Sequence, residues 1–108
     1  MTSERSHHVT TYPDARVWSV LDAVHIDGPR TLVTLERPQR PGEVRVLSRG
    51  AWHMTLTHGE GLGLDAYAGR VRIVRSGPLD GHEVALVEVP GMVDVRRSDS
   101  LRVTVARL

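Results

Sequence analysis

The apolar residues of this chain come in short alternating runs, none long enough or regular enough to demand a helix. In "AWHMTLTH" (51–58) Trp52, Met54 and Leu56 fall on one side of a strand and His53, Thr55 and Thr57 on the other. In "LRVTVARL" (101–108) Leu101, Val103 and Val105 oppose Arg102, Thr104 and Ala106. A period of two over four to eight residues is the signature of a half-buried strand. Repeated at short intervals between turn residues, it restricts the chain to sheet architectures closed or stacked on themselves.

The other segments fit the same scheme. "RTLVTLERP" (30–38) reads as a strand closed by the turn "RPQRPGE". "EVRVLSRGAWHMTLTHG" (43–59) alternates in two pieces: Val44 and Val46 share a face, then Gly50 interrupts, as a bulge or barrel corner requires. "LGLDAYAGRVRIVRSG" (62–77) sets Val71 and Ile73 against Arg70, Arg72 and Val74. "HEVALVEVPGMVDV" (82–95) is apolar almost throughout and predicts a strand buried on both sides. "ARVWSVLDAVHI" (15–26) fits a helical face through Val17, Trp18, Val20, Leu21 and Val24, but its β-branched content and the following "DGP" favour a strand. The expected fold is all-β: a small six- to seven-stranded antiparallel (split) barrel.

At 108 residues the chain has room for one modest core. It lacks Phe and has four aromatic residues, so Val, Leu, Ala, Met, Ile, Trp18 and Trp52 must fill that core. With no cysteine there is neither a disulfide framework nor a thiol nucleophile. "MTSERSHHVTTYPDA" has no apolar stretch of a targeting signal, and no run approaches a membrane span, so a cytoplasmic location without membrane attachment is expected.

The search for chemistry narrows to arginine. His53 and His58 lie five apart, which on a strand points them to opposite faces, and no HExxH occurs, so no metal site is expected. "GEGLG" (59–63) has phosphate-loop spacing without a following helix, and a hairpin connection explains it better. Ser48, Ser76, Ser98 and Ser100 lie in no GxSxG elbow, and no base can be assigned to them. The expectation is a protein that is not an enzyme and carries no cofactor.

Net charge is +1, so no global field draws the chain to nucleic acid. Yet all 14 basic residues are arginine, whose planar forks suit bidentate anion contacts. Arg37, Arg40, Arg45 and Arg49 read as solvated strand faces and turns. "RRSDSLR" (96–102) differs because it joins two strands after a Pro-Gly break, where adjacent guanidiniums can fold around a phosphodiester.

The order "HEVALVEVPGMVDVRRSDSLRVTV" (82–105) resembles the junction in flagellar-brake-type PilZ proteins, bacterial receptors for cyclic di-GMP. In that family an N-terminal β-barrel ends in an apolar strand with a proline. An arginine-rich linker follows, then the first strand of the PilZ barrel, beginning Arg-Val. "ALVEVP", "VRR" and "LRVTV" follow that order here. Residues 1–13, polar and closed by Pro13, read as a flexible tail. The resemblance implies an N-terminal barrel over 14–93, and over 94–108 the linker with the first strand of a truncated PilZ-like barrel. It implies that Arg96, Arg97 and Arg102 contact cyclic di-GMP. It also implies a bacterial signalling role in which the barrel meets a motility or exopolysaccharide protein. The family's linker spacing is RxxxR, whereas here it is RxxxxR, with Ser98 at the first motif position. The family's second motif, (D/N)xSxxG, does not occur after Arg102 in this sequence. Weak binding of the dinucleotide, or none, is therefore expected of this chain alone.

Three other readings share the strand count. An OB- or SH3-like barrel would bind single-stranded nucleic acid, though Tyr12, Trp18, Trp52 and Tyr67 are scattered rather than interleaved with basic residues. A ligand-free interaction barrel would pair its edge with a partner. A flavin-binding split barrel would purify yellow.

Overall fold

A computed structural model describes residues 10–11, 16–39, 47–58, 65–91 and 93–107. Every regular element among them is a strand: β1 (Thr10–Thr11), β2 (Arg16–Ile26), β3 (Arg30–Pro38), β4 (Gly50–His58), β5 (Asp65–Leu79), β6 (His82–Pro90) and β7 (Ser100–Arg107). Six of them close in the order β2-β3-β6-β5-β4-β7 and back to β2, all antiparallel, while β1 pairs with the far end of β7. The β4-β5-β6 meander, with β3 returning beside β6, is a Greek key. The all-β barrel expected from the sequence is the fold observed. No helix among the described residues is long and apolar enough to cross a membrane.

Local chemistry sets the turns. Asp80 and Gly81 both have positive φ, 52° and 79°, and join β5 to β6. That pair of left-handed residues makes a two-residue turn whose twist matches its strands. Asp27, Gly28 and Pro29 turn β2 into β3, with Gly28 at φ 69°. β2 therefore is a strand, and its mixed pattern has a structural reason. Trp18 and Val20 point into the barrel, whereas Val17, Leu21 and Val24 are exposed. A bulge at Leu21 shifts the register, and residues 16–19 pair with β7 while 19–26 pair with β3.

The core runs along the barrel axis. Trp52, Met54 and Leu56 from β4 meet Leu35, Val87 and Leu101 from other walls, all with almost no exposure. At one end Thr31 stands buried among these apolar groups. Its hydroxyl donates to Gly91 O at 2.8 Å and accepts from Val93 N at 3.1 Å, fixing the chain as it leaves β6. At another point Trp52 Nε1 donates to Ser48 O at 2.9 Å, and Ser76 Oγ donates to Leu47 O, tying down the approach to β4.

Three expectations need correction. β6 is not buried on both sides: Ala85, Val87 and Val89 are fully enclosed, but Val84 and Leu86 face outward and are only half-covered. Among the described residues no second layer covers its outer apolar residues, because the barrel wall is one sheet thick. The strand expected to begin a second barrel belongs to the first. β7 lies between β2 and β4, makes seven residue pairs with β4 and four with β2, and closes the ring. Inward Leu101, Val103 and Val105 supply the reason, since only the barrel interior buries them. Finally Arg37, expected to be solvated, is buried. It occupies the inward parity of β3, directly across from Glu83 on β6. Residues 40–46, which hold Arg40, Arg45 and the strand piece expected at Val44 and Val46, and the "GEGLG" connection lie outside the described residues.

Candidate functional site

The arginine-rich segment forms a tight turn rather than an open linker. Val93 is buried and Val95 packs against the core, so the chain is anchored before the first arginine. Asp99 N then donates to Arg96 O at 2.9 Å, the closing bond of a four-residue turn. In return Arg96 N donates to Asp99 Oδ2 at 2.9 Å, which engages that carboxylate with backbone. Val20 N donates to Asp99 O at 3.0 Å and stitches the turn to β2.

This geometry displays the arginines. Arg96, Arg97 and Ser98 are exposed at the turn, and none of the ion pairs among the described residues involves Arg96 or Arg97. Arg102 is exposed on the outer face of β7, two residues past Ser100, or about 7 Å along the strand. Its cross-strand neighbours are Val17 and Thr57. Val17 is 49% exposed, so an apolar methyl surface lies beside the Arg102 position. All three expected ligand residues therefore face solvent. Arg96 and Arg97 share one rigid turn, with Arg102 on the strand that follows. Val17 was missed by sequence reasoning, because only the β2–β7 pairing brings it there.

A second cluster of guanidiniums lies elsewhere. An open cleft of about 310 Å³ on the outside of the barrel is lined by Arg30, Arg70, Arg72 and Glu88, with Gly50, Ala51 and Pro90 leaving it roomy. Arg30 Nη1 donates to Glu88 Oε2 at 2.6 Å, and Arg72 Nε lies 3.5 Å from Glu88 Oε1. The Arg30 hydrogen bond, above all, holds the Glu88 carboxyl below its ordinary value, with Arg72 adding to the effect. The cleft is remote from the turn. Ala51 borders it, while Thr57 pairs with Arg102, and six residues of strand separate them, about 20 Å.

The third feature is internal. Arg37 Nη2 donates to Glu83 Oε1 at 2.6 Å, with the two side chains 6% and 2% exposed. The guanidinium carbon lies 5.2 Å from the centroid of the Trp18 ring, within cation–π range. The pair is enclosed by the barrel and offers no surface to a ligand. Its signal was present in sequence: Arg37 and Glu83 each continue the inward parity of an apolar strand. Among the described residues no group of three His, Asp or Glu side chains converges as metal ligands.

No protein-family model, no curated protein and no solved structure matches this chain.

Proposed function

We propose that this barrel is a non-catalytic regulatory module that reads a phosphodiester anion, cyclic di-GMP, on Arg96, Arg97 and Arg102. The observation that carries the reading is the 96–99 turn. It is closed in both directions between Arg96 and Asp99, and it leaves two adjacent guanidiniums in solvent. A guanidinium pair on a fixed backbone binds phosphate oxygens without the loop first being ordered, so that association costs side-chain but not backbone entropy. Val17 beside Arg102 supplies apolar contact suited to the face of a guanine. The resemblance of 82–105 to the junction of cyclic di-GMP receptors names the ligand, and with it a motility or exopolysaccharide protein as the partner.

Among the described residues the nucleic-acid reading lacks a stacking platform. Trp18 and Trp52 are buried, and the Tyr67 hydroxyl is engaged with Arg70 O at 2.7 Å.

Calorimetric titration of the full chain with cyclic di-GMP tests the proposal, with GMP as control. The expected result is weak binding, in the range of about 0.1–1 mM, that declines with added salt. Arg96→Ala/Arg97→Ala is expected to abolish it while leaving the melting curve unchanged. Absence of binding in that range, or binding indifferent to the double substitution, overturns the assignment. Tight stoichiometric binding overturns the view that these three arginines are only part of a full site.

A further inference from the structure

The cleft bordered by Arg30, Arg70, Arg72 and Glu88 takes no part in the reading above, and its lining is chemically divided. Apart from those four charged residues it is bounded by Gly50, Ala51, Val71 and Pro90. At about 310 Å³ it falls at the small end of ligand pockets, with room for one ring and one ionic group. Gly50 keeps one wall bare. Its φ of 125° disfavours any residue with a side chain, and a Cβ built there would meet nothing within 4 Å.

The register explains why guanidiniums gather here. Arg72 pairs with Glu88 on β6 and with Ala51 on β4, and Arg30 pairs with Pro90 two residues beyond Glu88. Arg70, two residues before Arg72, shares its outward face and lies level with Pro90. The three arginines are not equally engaged. Arg30 is occupied: Nε donates to Asp27 O at 3.0 Å and Nη1 to Glu88 Oε2 at 2.6 Å. Arg72 meets Glu88 through Nε alone, at 3.5 Å, so its Nη groups form no ion pair among the described residues. Arg70 forms none there either. Its carbonyl accepts from the Tyr67 hydroxyl at 2.7 Å, which fixes the backbone that carries it.

The acids nearby do not cancel this cluster. Glu88 is the only acid in the lining, and it is held more closely by Arg30 than by Arg72. Asp27, 98% exposed, approaches Arg30 from outside the cleft, 3.9 Å from Nη2. Glu36, the one acid of β3, lies six residues from Arg30, about 20 Å along the strand. On β4 the neighbour of Arg70 is His53, not an acid. Two guanidinium forks thus stand about 7 Å apart on one strand, beside a small apolar floor.

We infer that this cleft is a binding site for a small phosphate monoester. Arg70 and Arg72 hold the phosphate oxygens, Glu88 positions the Arg72 fork through Nε, and the organic group lies against Ala51 and Pro90. A phosphate monoester offers three oxygens and nearly two charges to the two forks, whereas a carboxylate offers two oxygens and one charge. The site is separate from the 96–99 turn, so the two assignments stand or fall independently.

Amide shift mapping by NMR of the full chain, titrated with phenyl phosphate at constant ionic strength, tests this. Saturable shifts are expected at Gly50, Ala51, Arg70, Arg72 and Glu88, with a dissociation constant on the order of 1 mM. Arg70→Ala and Arg72→Ala should each weaken them about fivefold or more, and Arg96→Ala/Arg97→Ala should leave them unchanged. Benzoate and inorganic phosphate are each expected to bind about threefold or more weakly than phenyl phosphate, one lacking charge and the other the ring. No saturation at these amides by about 20 mM phenyl phosphate overturns the inference. So do shifts that survive both single substitutions, or that vanish with Arg96→Ala/Arg97→Ala. Benzoate binding as tightly overturns the phosphate assignment, and inorganic phosphate binding as tightly overturns the monoester. The ligand series on the parent chain decides the question even if a variant fails to fold.

Discussion

Replacing Arg37 by methionine removes half of a charge pair that the barrel encloses. Glu83 is then left with a side chain 2% exposed, facing the core without its 2.6 Å partner. Breaking a buried pair from one side costs about 3–5 kcal/mol, because the surviving charge loses the contact that offset its desolvation. The Arg37 guanidinium also lies over the Trp18 ring, a cation–π contact worth about 2 kcal/mol when desolvated, which methionine does not replace. A domain of this size has about 5–15 kcal/mol in total, so Arg37→Met removes between a fifth and all of it. At about 4–8 °C per kcal/mol, the smallest expected loss lowers the melting temperature by about 12–24 °C. The double variant Arg37→Met/Glu83→Leu removes both charges and their desolvation together, and is expected within about 1 kcal/mol of the parent. Urea denaturation followed by tryptophan fluorescence measures all four corners of the cycle, with Trp18 reporting from beside the altered site. A loss under about 1 kcal/mol for Arg37→Met, or a double variant less stable than either single one, refutes the reasoning.

Thr31→Val keeps the shape of a buried side chain but deletes a hydroxyl that both donates to Gly91 O and accepts from Val93 N. The expected cost is about 1–3 kcal/mol by denaturation, with faster amide exchange at Val93 as the local sign. Glu88→Gln should alter the acid limb of stability. The Glu88 carboxyl titrates below its ordinary value of 4.5 in the folded state, chiefly through Arg30. Its contribution is therefore complete above that value and disappears as the pH falls through the lower, folded one. Melting curves of the parent and Glu88→Gln should differ at neutral pH and converge in acid. Parallel curves throughout would refute the ion-pair account.

Much of this barrel was legible because alternation survives in the strands that line it. The inward residues at 52, 54 and 56, at 71 and 73, and at 101, 103 and 105 are those the period of two selects. β2 was ambiguous because Val17, Leu21 and Val24 are apolar on the outside, which blurs a period of two into one resembling a helical face. The partners of each strand were not legible. Pairing of β7 with β2 brings Arg16 against Val103, and no local signal encodes a contact of that span. The turn at 96–99 was read as a free linker because its restraints come from Asp99 and from Val20. Arg37 was misread for a different reason. Charge suggested solvent, yet its inward parity on β3 matches the inward parity of Glu83 on β6, and the two opposite charges meet across the ladder.

The position of β7 limits how a ligand at the turn can act. For the strand to swing away with the arginines, as a hinge between two bodies would, Leu101, Val103 and Val105 must leave the core. Each costs about 1.5–3 kcal/mol to expose, or about 4.5–9 kcal/mol together, before the pairs with β2 and β4 are counted. Weak binding, at about 0.1–1 mM, corresponds to only about 4–5.5 kcal/mol at the standard state. A ligand shifts an equilibrium only by its difference in affinity for the two states, so weak binding cannot draw β7 out of the wall. On this reading the response is confined to what the turn can do in place. Anion binding neutralises Arg96 and Arg97, changes the surface at 96–102, and leaves the barrel closed behind it.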